Sequence, residues 1–291
     1  MIDRPWAAAA AAAAGTAAAG TEETELLATL QAAAISAFSR RDFPSAEAAL
    51  LRLAALEPAN PAWSEGLGQV YTDGAPKQDF PAAVREYGVA LELTPASDVA
   101  GRARLLAGRA LAYEGVADWP AALRDYDAAV AAAAAGGLTA DPYIMNRRGN
   151  VLAAAGDYAG ARAAYLSSAA GFQNIRGVNT VGGSRLKQDG FAFAASNAAL
   201  ALAQMGDLDG AGAEMEMVSR RAPGNADMRA GLAALYWAGG RREDAEREWE
   251  FACDKISVGC TKFRDKEWLS RVRRWPPAMV AYLDNFLNLR D

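Results

Sequence analysis

One short unit recurs six times along this chain, and in its full form it is an Asp, an aromatic residue, and an Ala three residues after the aromatic. It reads Asp42-Phe43 then Ala46, Asp79-Phe80 then Ala83, Asp118-Trp119 then Ala122, and Asp157-Tyr158 then Ala161. The fifth copy has Asp207-Leu208 then Ala211, and the sixth, Gly240-Arg241 then Ala245, lacks the Asp. Four residues beyond each Ala stands a large side chain, in order Leu50, Tyr87, Tyr126, Tyr165, Met215 and Trp249. That spacing puts the small and the large residue on one face of a helix. Three residues further come Leu53, Ala90, Ala129, Ser168, Val218 and Ala252, and in three copies a proline then stops the helix, at Pro58, Pro95 and Pro223. A single helical hairpin cannot bury such a face alone, whereas stacked hairpins bury a continuous core. A generic amphipathic bundle would not keep six copies in phase.

Composition agrees with helices. The chain is rich in Ala, the strongest helix former, and comparatively poor in the β-branched residues that favour strands. With 52% hydrophobic residues over 291 positions it can bury a large interior. The class expected is all-α.

The register resembles that of the tetratricopeptide repeat, a 34-residue helix-turn-helix unit with Trp, Leu-Gly, Tyr, Ala, Phe, Ala and Pro at fixed offsets. The resemblance covers roughly Leu27 to Phe251. The second copy is the fullest, with Leu67-Gly68, Tyr71, Ala83, Tyr87, Ala90 and Pro95, and the fourth gives Gly149, Leu152, Gly156-Asp157-Tyr158, Ala161 and Tyr165. Ala211 and Ala245 lie 34 residues apart. The resemblance implies an α-solenoid of about six hairpins, at 27–60, 61–97, 100–136, 141–174, 191–224 and 226–252, in a right-handed superhelix with a concave inner wall. The segment 253–291 is expected to close it, with a helix that starts near Arg273-Arg274-Trp275-Pro276-Pro277 and carries Met279, Val280, Leu283, Phe286 and Leu287 at helical spacing.

Several function classes lose their usual residues. The chain contains no histidine, so the commonest general base, the commonest zinc ligand and every Ser-His or Cys-His nucleophile are absent. Scattered carboxylates such as Glu243, Asp244 and Glu246 are ordinary charge near a helix start, and no enzyme, cofactor, metal site or small-molecule substrate is expected. A formal charge of -5 argues against a nucleic-acid partner. The Ala- and Gly-rich stretch 1–20 is shorter than a membrane span and is expected to be a low-complexity, disordered tail. No integral membrane segment is expected, though a tail with seven basic residues against four acidic ones over 261–291 leaves peripheral membrane association open.

Within the resemblance, partners bind the concave wall formed by the first helix of each hairpin. Those positions here include Glu65, Gln69, Arg104, Tyr143, Asn146, Arg147, Asn150, Phe193 and Asn197. Asn146 and Asn150 share a helical face, and two readings stand: their amides meet a peptide backbone in the groove, or they hydrogen-bond the adjacent hairpin or water. The family's chaperone-binding clamp is not expected. Repeats one to three place Gln31, Ile35, Gly66, Arg104 and Gly108 at its positions, and from repeat four the series Asn146, Asn150, Asn197, Asp227 and Gly231 lacks the cations.

Three further features stand outside the repeat. The segment 171–190 reads as a long Gly-rich inter-repeat loop carrying Arg176, Arg185 and Lys187, without the ending of a phosphate-binding loop. Cys253 and Cys260 are either a disulfide, favoured by an oxidising compartment, or two reduced thiols. Finally, the stretches 107–115, 146–153 and 249–254, continuing to 273–277, resemble chloroplast tetratricopeptide-like proteins of plants and green algae. That resemblance implies an organellar location, in or at the thylakoid, and a protein-binding assembly or maintenance factor for a photosynthetic complex. The alternative is a stable structural subunit of a large thylakoid-associated complex.

Overall fold

The computed structural model describes residues 21–74, 77–174, 181–256 and 259–289; the expected tail over 1–20 lies outside them. Among the described residues the regular structure is helical, with no strand. Two compact units divide at Thr139 and Ala140. The first holds three helical pairs: α1 (Thr21–Ser39) with α2 (Phe43–Leu56), α3 (Pro61–Asp73) with α4 (Phe80–Leu93), and α5 (Val99–Gly115) with α6 (Trp119–Ala135). The second holds α7 (Pro142–Ala154) with α8 (Tyr158–Asn174), α9 (Val181–Gln204) with α10 (Leu208–Arg221), and α11 (Ala226–Ala238) with α12 (Arg242–Asp254). Within each unit, the second helix of one hairpin also packs on the first helix of the next.

The recurring Asp is what starts each second helix. Asp42, Asp79, Asp118, Asp157 and Asp207 each accept a hydrogen bond from the backbone N–H three residues on, at 3.3, 2.9, 3.1, 2.8 and 2.8 Å. This satisfies a donor that the first turn would otherwise orphan. Pro44, Pro81 and Pro120 then occupy the opening turn, where a missing N–H costs nothing. In the sixth copy Arg241 makes no side-chain cap, and its guanidinium instead lies 4.1 Å from the Tyr236 ring and pairs with Asp244. The residue just before the cap is left-handed in five turns: Arg41, Ala117, Gly156, Gly206 and Gly240, with φ from 58° to 98°.

The recurring small and large residues meet inside. All six motif alanines are fully buried, and so, to within a few per cent, are Leu50, Tyr87, Tyr126, Tyr165, Met215 and Trp249. Tyr87 lies so close to Gly68 of its own hairpin and Gly108 of the next that a Cβ at either would approach its ring within 2.9 and 2.6 Å. Tyr165 makes the same approach to Gly149, at 2.5 Å. A ring against a bare backbone is thus the joint at hairpins two, three and four.

One expectation changes. The segment 171–190 is not one long loop: α8 runs to Asn174 and α9 begins at Val181, leaving only 175–180, which with Arg176 lie outside the described residues, as do the side chains of Arg185 and Lys187. Of its glycines, read as loop formers, Gly171 is in α8 and Gly182, Gly183 and Gly190 are carried inside the long helix α9, where Gly190 makes room for the ring of Phe172. The closing helix expected after Arg273-Arg274-Trp275-Pro276-Pro277 is present as α13 (Pro277–Asn288). It lies on α11 and α9, the first helices of hairpins six and five, with Phe286 against Trp237 and Trp249.

Opposite exchanges of the same two residues should therefore have opposite signs. Gly149→Ala, which drives a methyl into a buried ring, is expected to destabilise by about 1–3 kcal/mol. Ala117→Gly, which relieves a left-handed alanine, should stabilise by about 1 kcal/mol. Urea unfolding of the two variants against the parent decides both.

Candidate functional site

In the first unit, the residues placed on the inner face engage one another. Arg104 on α5 donates two hydrogen bonds to the buried carboxylate of Glu65 on α3, at 2.6 and 2.9 Å, so the pair ties hairpin two to hairpin three. Those bonds, outweighing burial, hold the Arg104 guanidinium charged beyond its usual range. Gln69, one turn along from Glu65, is half-buried.

In the second unit, α7 begins at Pro142 because Asp141 caps it, accepting from the N–H of Tyr143 at 2.8 Å. Asn146 is buried and accepts from the amide of Asn197 on α9 at 3.1 Å, while Asn150 accepts from the hydroxyl of Tyr165 at 2.9 Å. Of the two readings of this pair, the structure holds the hydrogen bonds to neighbouring helices. Arg147 is exposed between them. Tyr143 and Phe193, one on α7 and one on α9, keep 49% and 40% of their surface open, which is unusual for rings in so well packed a unit.

Between these two rings lies a half-open pocket of about 260 Å³ lined by Tyr143, Asn146, Phe172, Asp189, Gly190 and Phe193. Its aromatic wall is fixed. Tyr143 meets the buried ring of Phe172 edge-on at 4.8 Å, and Phe172 in turn presses on Gly190, where a Cβ would come within 2.4 Å of the ring. Burial first, then the charges of Asp141 and Asp189, push the Tyr143 phenol up, so it stays protonated and able to donate. Asp189 is exposed at the pocket wall and also borders a broader cavity of about 810 Å³ with Arg221, Asp227, Lys262 and Trp268.

The inner positions of hairpins five and six are taken by the chain itself. Arg273, which follows a short π-helical turn at Trp268–Val272, sends its guanidinium into a buried site. It bonds both carboxylate oxygens of Asp227 at 2.7 and 2.5 Å and the carbonyl of Asn197 at 2.9 Å, and it lies 4.4 Å from the Phe193 ring. Trp275 adds a bond from its indole N–H to Asp227 at 3.2 Å. Further along, the N–H of Ala278 donates to Gln204 at 2.8 Å, the start of the contact that α13 makes with α9. At the base of this segment Cys253 and Cys260 form a disulfide.

Of the inner positions named from sequence, Tyr143, Asn146, Phe193 and Asn197 are brought together; Asn150 joins Tyr165, Arg104 joins Glu65, and Gln69 and Arg147 stand apart from the pocket. Asp189, Phe172 and Arg273 were missed as site residues. The sequence does carry a sign of them, since Phe172 and Asp189 lie just inside the two ends of the segment 171–190 read as a loop, and Arg273 shortly precedes the Trp-Pro-Pro helix start.

No protein-family model matches the chain, and no curated protein matches it in sequence. Solved structures do match in shape. A tetratricopeptide repeat protein from Parabacteroides merdae has a TM-score of 0.60 at 16% identity over 91% of this chain and 93% of its own. Pseudomonas aeruginosa PilF has 0.56 at 16%, over 78% and 90%, and YrrB, a TPR protein with an unusual peptide-binding site, has 0.50 at 17%, over 69% and 89%. These likenesses show the fold, a tetratricopeptide-repeat α-solenoid.

Because Arg273 and Asp227 are both desolvated, removing one partner strands the other. Arg273→Met is expected to cost about 3–5 kcal/mol, and the double change Arg273→Met, Asp227→Leu should recover much of it. Urea denaturation followed by tryptophan fluorescence measures both; equal losses in the single and double variants would contradict the pairing.

Proposed function

We propose that the protein is a non-catalytic scaffold that holds a partner polypeptide on the inner face of its hairpins, in the second unit at the pocket between α7 and α9. The observation that carries this reading is the pair of exposed rings, Tyr143 and Phe193, on first helices either side of an open pocket. Exposed aromatic side chains beside a concavity are what polypeptide recognition uses, because they bury large area at small entropic cost. A likeness of fold to YrrB, a protein with a peptide-binding site, supports it. Nucleic acid is not part of the proposal, since the chain is acidic, and the pocket between the two rings is smaller than the roughly 300–1,000 Å³ usual for small-molecule sites. Among the described residues no helix is long and apolar enough to cross a bilayer.

We place the protein in the chloroplast, at or inside the thylakoid, as an assembly or maintenance factor for a photosynthetic complex. The support is the resemblance of the stretches 107–115, 146–153 and 249–277 to plastid proteins, with the Cys253–Cys260 disulfide in keeping with an oxidising compartment.

A photo-crosslinking phenylalanine analogue placed at Tyr143, and at exposed Leu166 on α8 as a control, tests the scaffold reading in native extract. A discrete polypeptide adduct at position 143 and none at 166 is expected. Equal labelling at both positions, or none at either, would count against it.

A further inference from the structure

We propose that the pocket between α7 and α9 is a recognition site for an arginine side chain of the partner polypeptide. The inference rests on the scaffold reading and adds the chemistry of what is recognised. Three rings, Tyr143, Phe172 and Phe193, line the pocket, and the faces of aromatic rings attract cations through their quadrupole. Beside them stands the Asp189 carboxylate, which makes no hydrogen bond or ion pair among the described residues. Asp141, at the start of α7, adds a second negative charge felt at Tyr143. Flat apolar walls and an unengaged anion together suit a planar guanidinium, which stacks on rings and donates to a carboxylate in a fixed fork.

The size fits one side chain. At about 260 Å³ the pocket takes a single long residue rather than a drug-sized ligand, and it is half open, so a stem can enter from the groove. Its floor is built, because Gly190 and the buried Phe172 ring are in contact closer than any larger residue at 190 would allow.

The same unit already shows this solution once. Arg273 lies 4.4 Å from the Phe193 ring and donates from two of its three nitrogens to a carboxylate, Asp227. Arg273 and Asp227 are spent on each other and do not line the pocket, whereas Asp189 and the open part of Phe193 remain for a ligand from outside. The cationic occupant is therefore chosen by charge complementarity, and arginine over lysine by the ring walls.

The test uses the full chain, isotope-labelled, titrated with N-acetyl-arginine amide, N-acetyl-lysine amide and N-acetyl-leucine amide, reading the backbone resonance of Gly190 and the ring resonances of Phe193. Saturable binding of the arginine compound is expected with a dissociation constant on the order of 1–10 mM, tighter than lysine and much tighter than leucine. Asp189→Asn, at an exposed position, should weaken it about fivefold to tenfold and leave the rest of the spectrum unchanged. Non-saturating shifts, leucine binding as well as arginine, or an unchanged affinity in Asp189→Asn would each overturn the proposal. If position 143 still crosslinks a polypeptide while the arginine compound fails, the arginine site falls and the scaffold stands. If the arginine compound binds as stated but nothing crosslinks, the site stands and the scaffold falls.

Discussion

A ring pressed against a bare backbone is the contact on which the rest of the structure depends. Tyr87 held between Gly68 and Gly108, and Tyr165 on Gly149, bring helices together at distances that any Cβ would forbid. Interiors are packed like crystals, so a joint this tight has little slack and fixes the rotation of each helix about its axis. That rotation in turn decides which residues look inward. With Gly149 under Tyr165, α7 turns Asn146 to the neighbouring α9 and leaves Tyr143 at the rim of a pocket. The candidate face is thus a consequence of the core and not an addition to it.

Polar links are laid over this frame, several of them between hairpins. Tyr71 donates to Glu47 at 2.8 Å, Tyr236 to Glu216 at 2.6 Å, and Arg162 reaches both Glu214 and the carbonyl of Ala198. Each of these pairs joins residues on successive hairpins within one unit. Their individual contributions are modest, because such groups lose water in forming them. Their use is directional: an apolar face can slide, but a phenol with one carboxylate in reach sets the register between neighbours.

What could be read in advance follows this division. The Asp-aromatic-Ala unit gave the second helices and their buried alanines because caps and small-residue contacts are local and repeat in register. Inner positions such as Asn146 and Asn197 could be located by counting along the repeat, but not their partners, since the bond between them spans 51 residues. The segment 171–190 was misjudged for a physical reason: its glycines signal a loop by propensity, yet Gly190 is inside α9 because the ring of Phe172 needs the space. The role of Arg273 was hidden in the same way. A buried cation in a segment that otherwise reads as a basic edge is explained only by Asp227, 46 residues earlier.

The place of that cation also determines how much inner wall the second unit keeps open. Trp275, Met279 and Phe286 bring α13 onto α9 and α11 through non-directional burial, which alone would allow several positions. A desolvated ion pair adds little net stability compared with an apolar substitute, so its effect here is better understood as fixing position. Arg273 anchors the segment at Asp227 and Asn197, and Ala278 anchors it again at Gln204. Between those anchors the first helices of hairpins five and six are covered by the chain's own residues. Tyr143 and Phe193 line the pocket that stays open between α7 and α9, and Arg273, on the Phe193 ring, marks the edge at which the chain's own residues cover that helix.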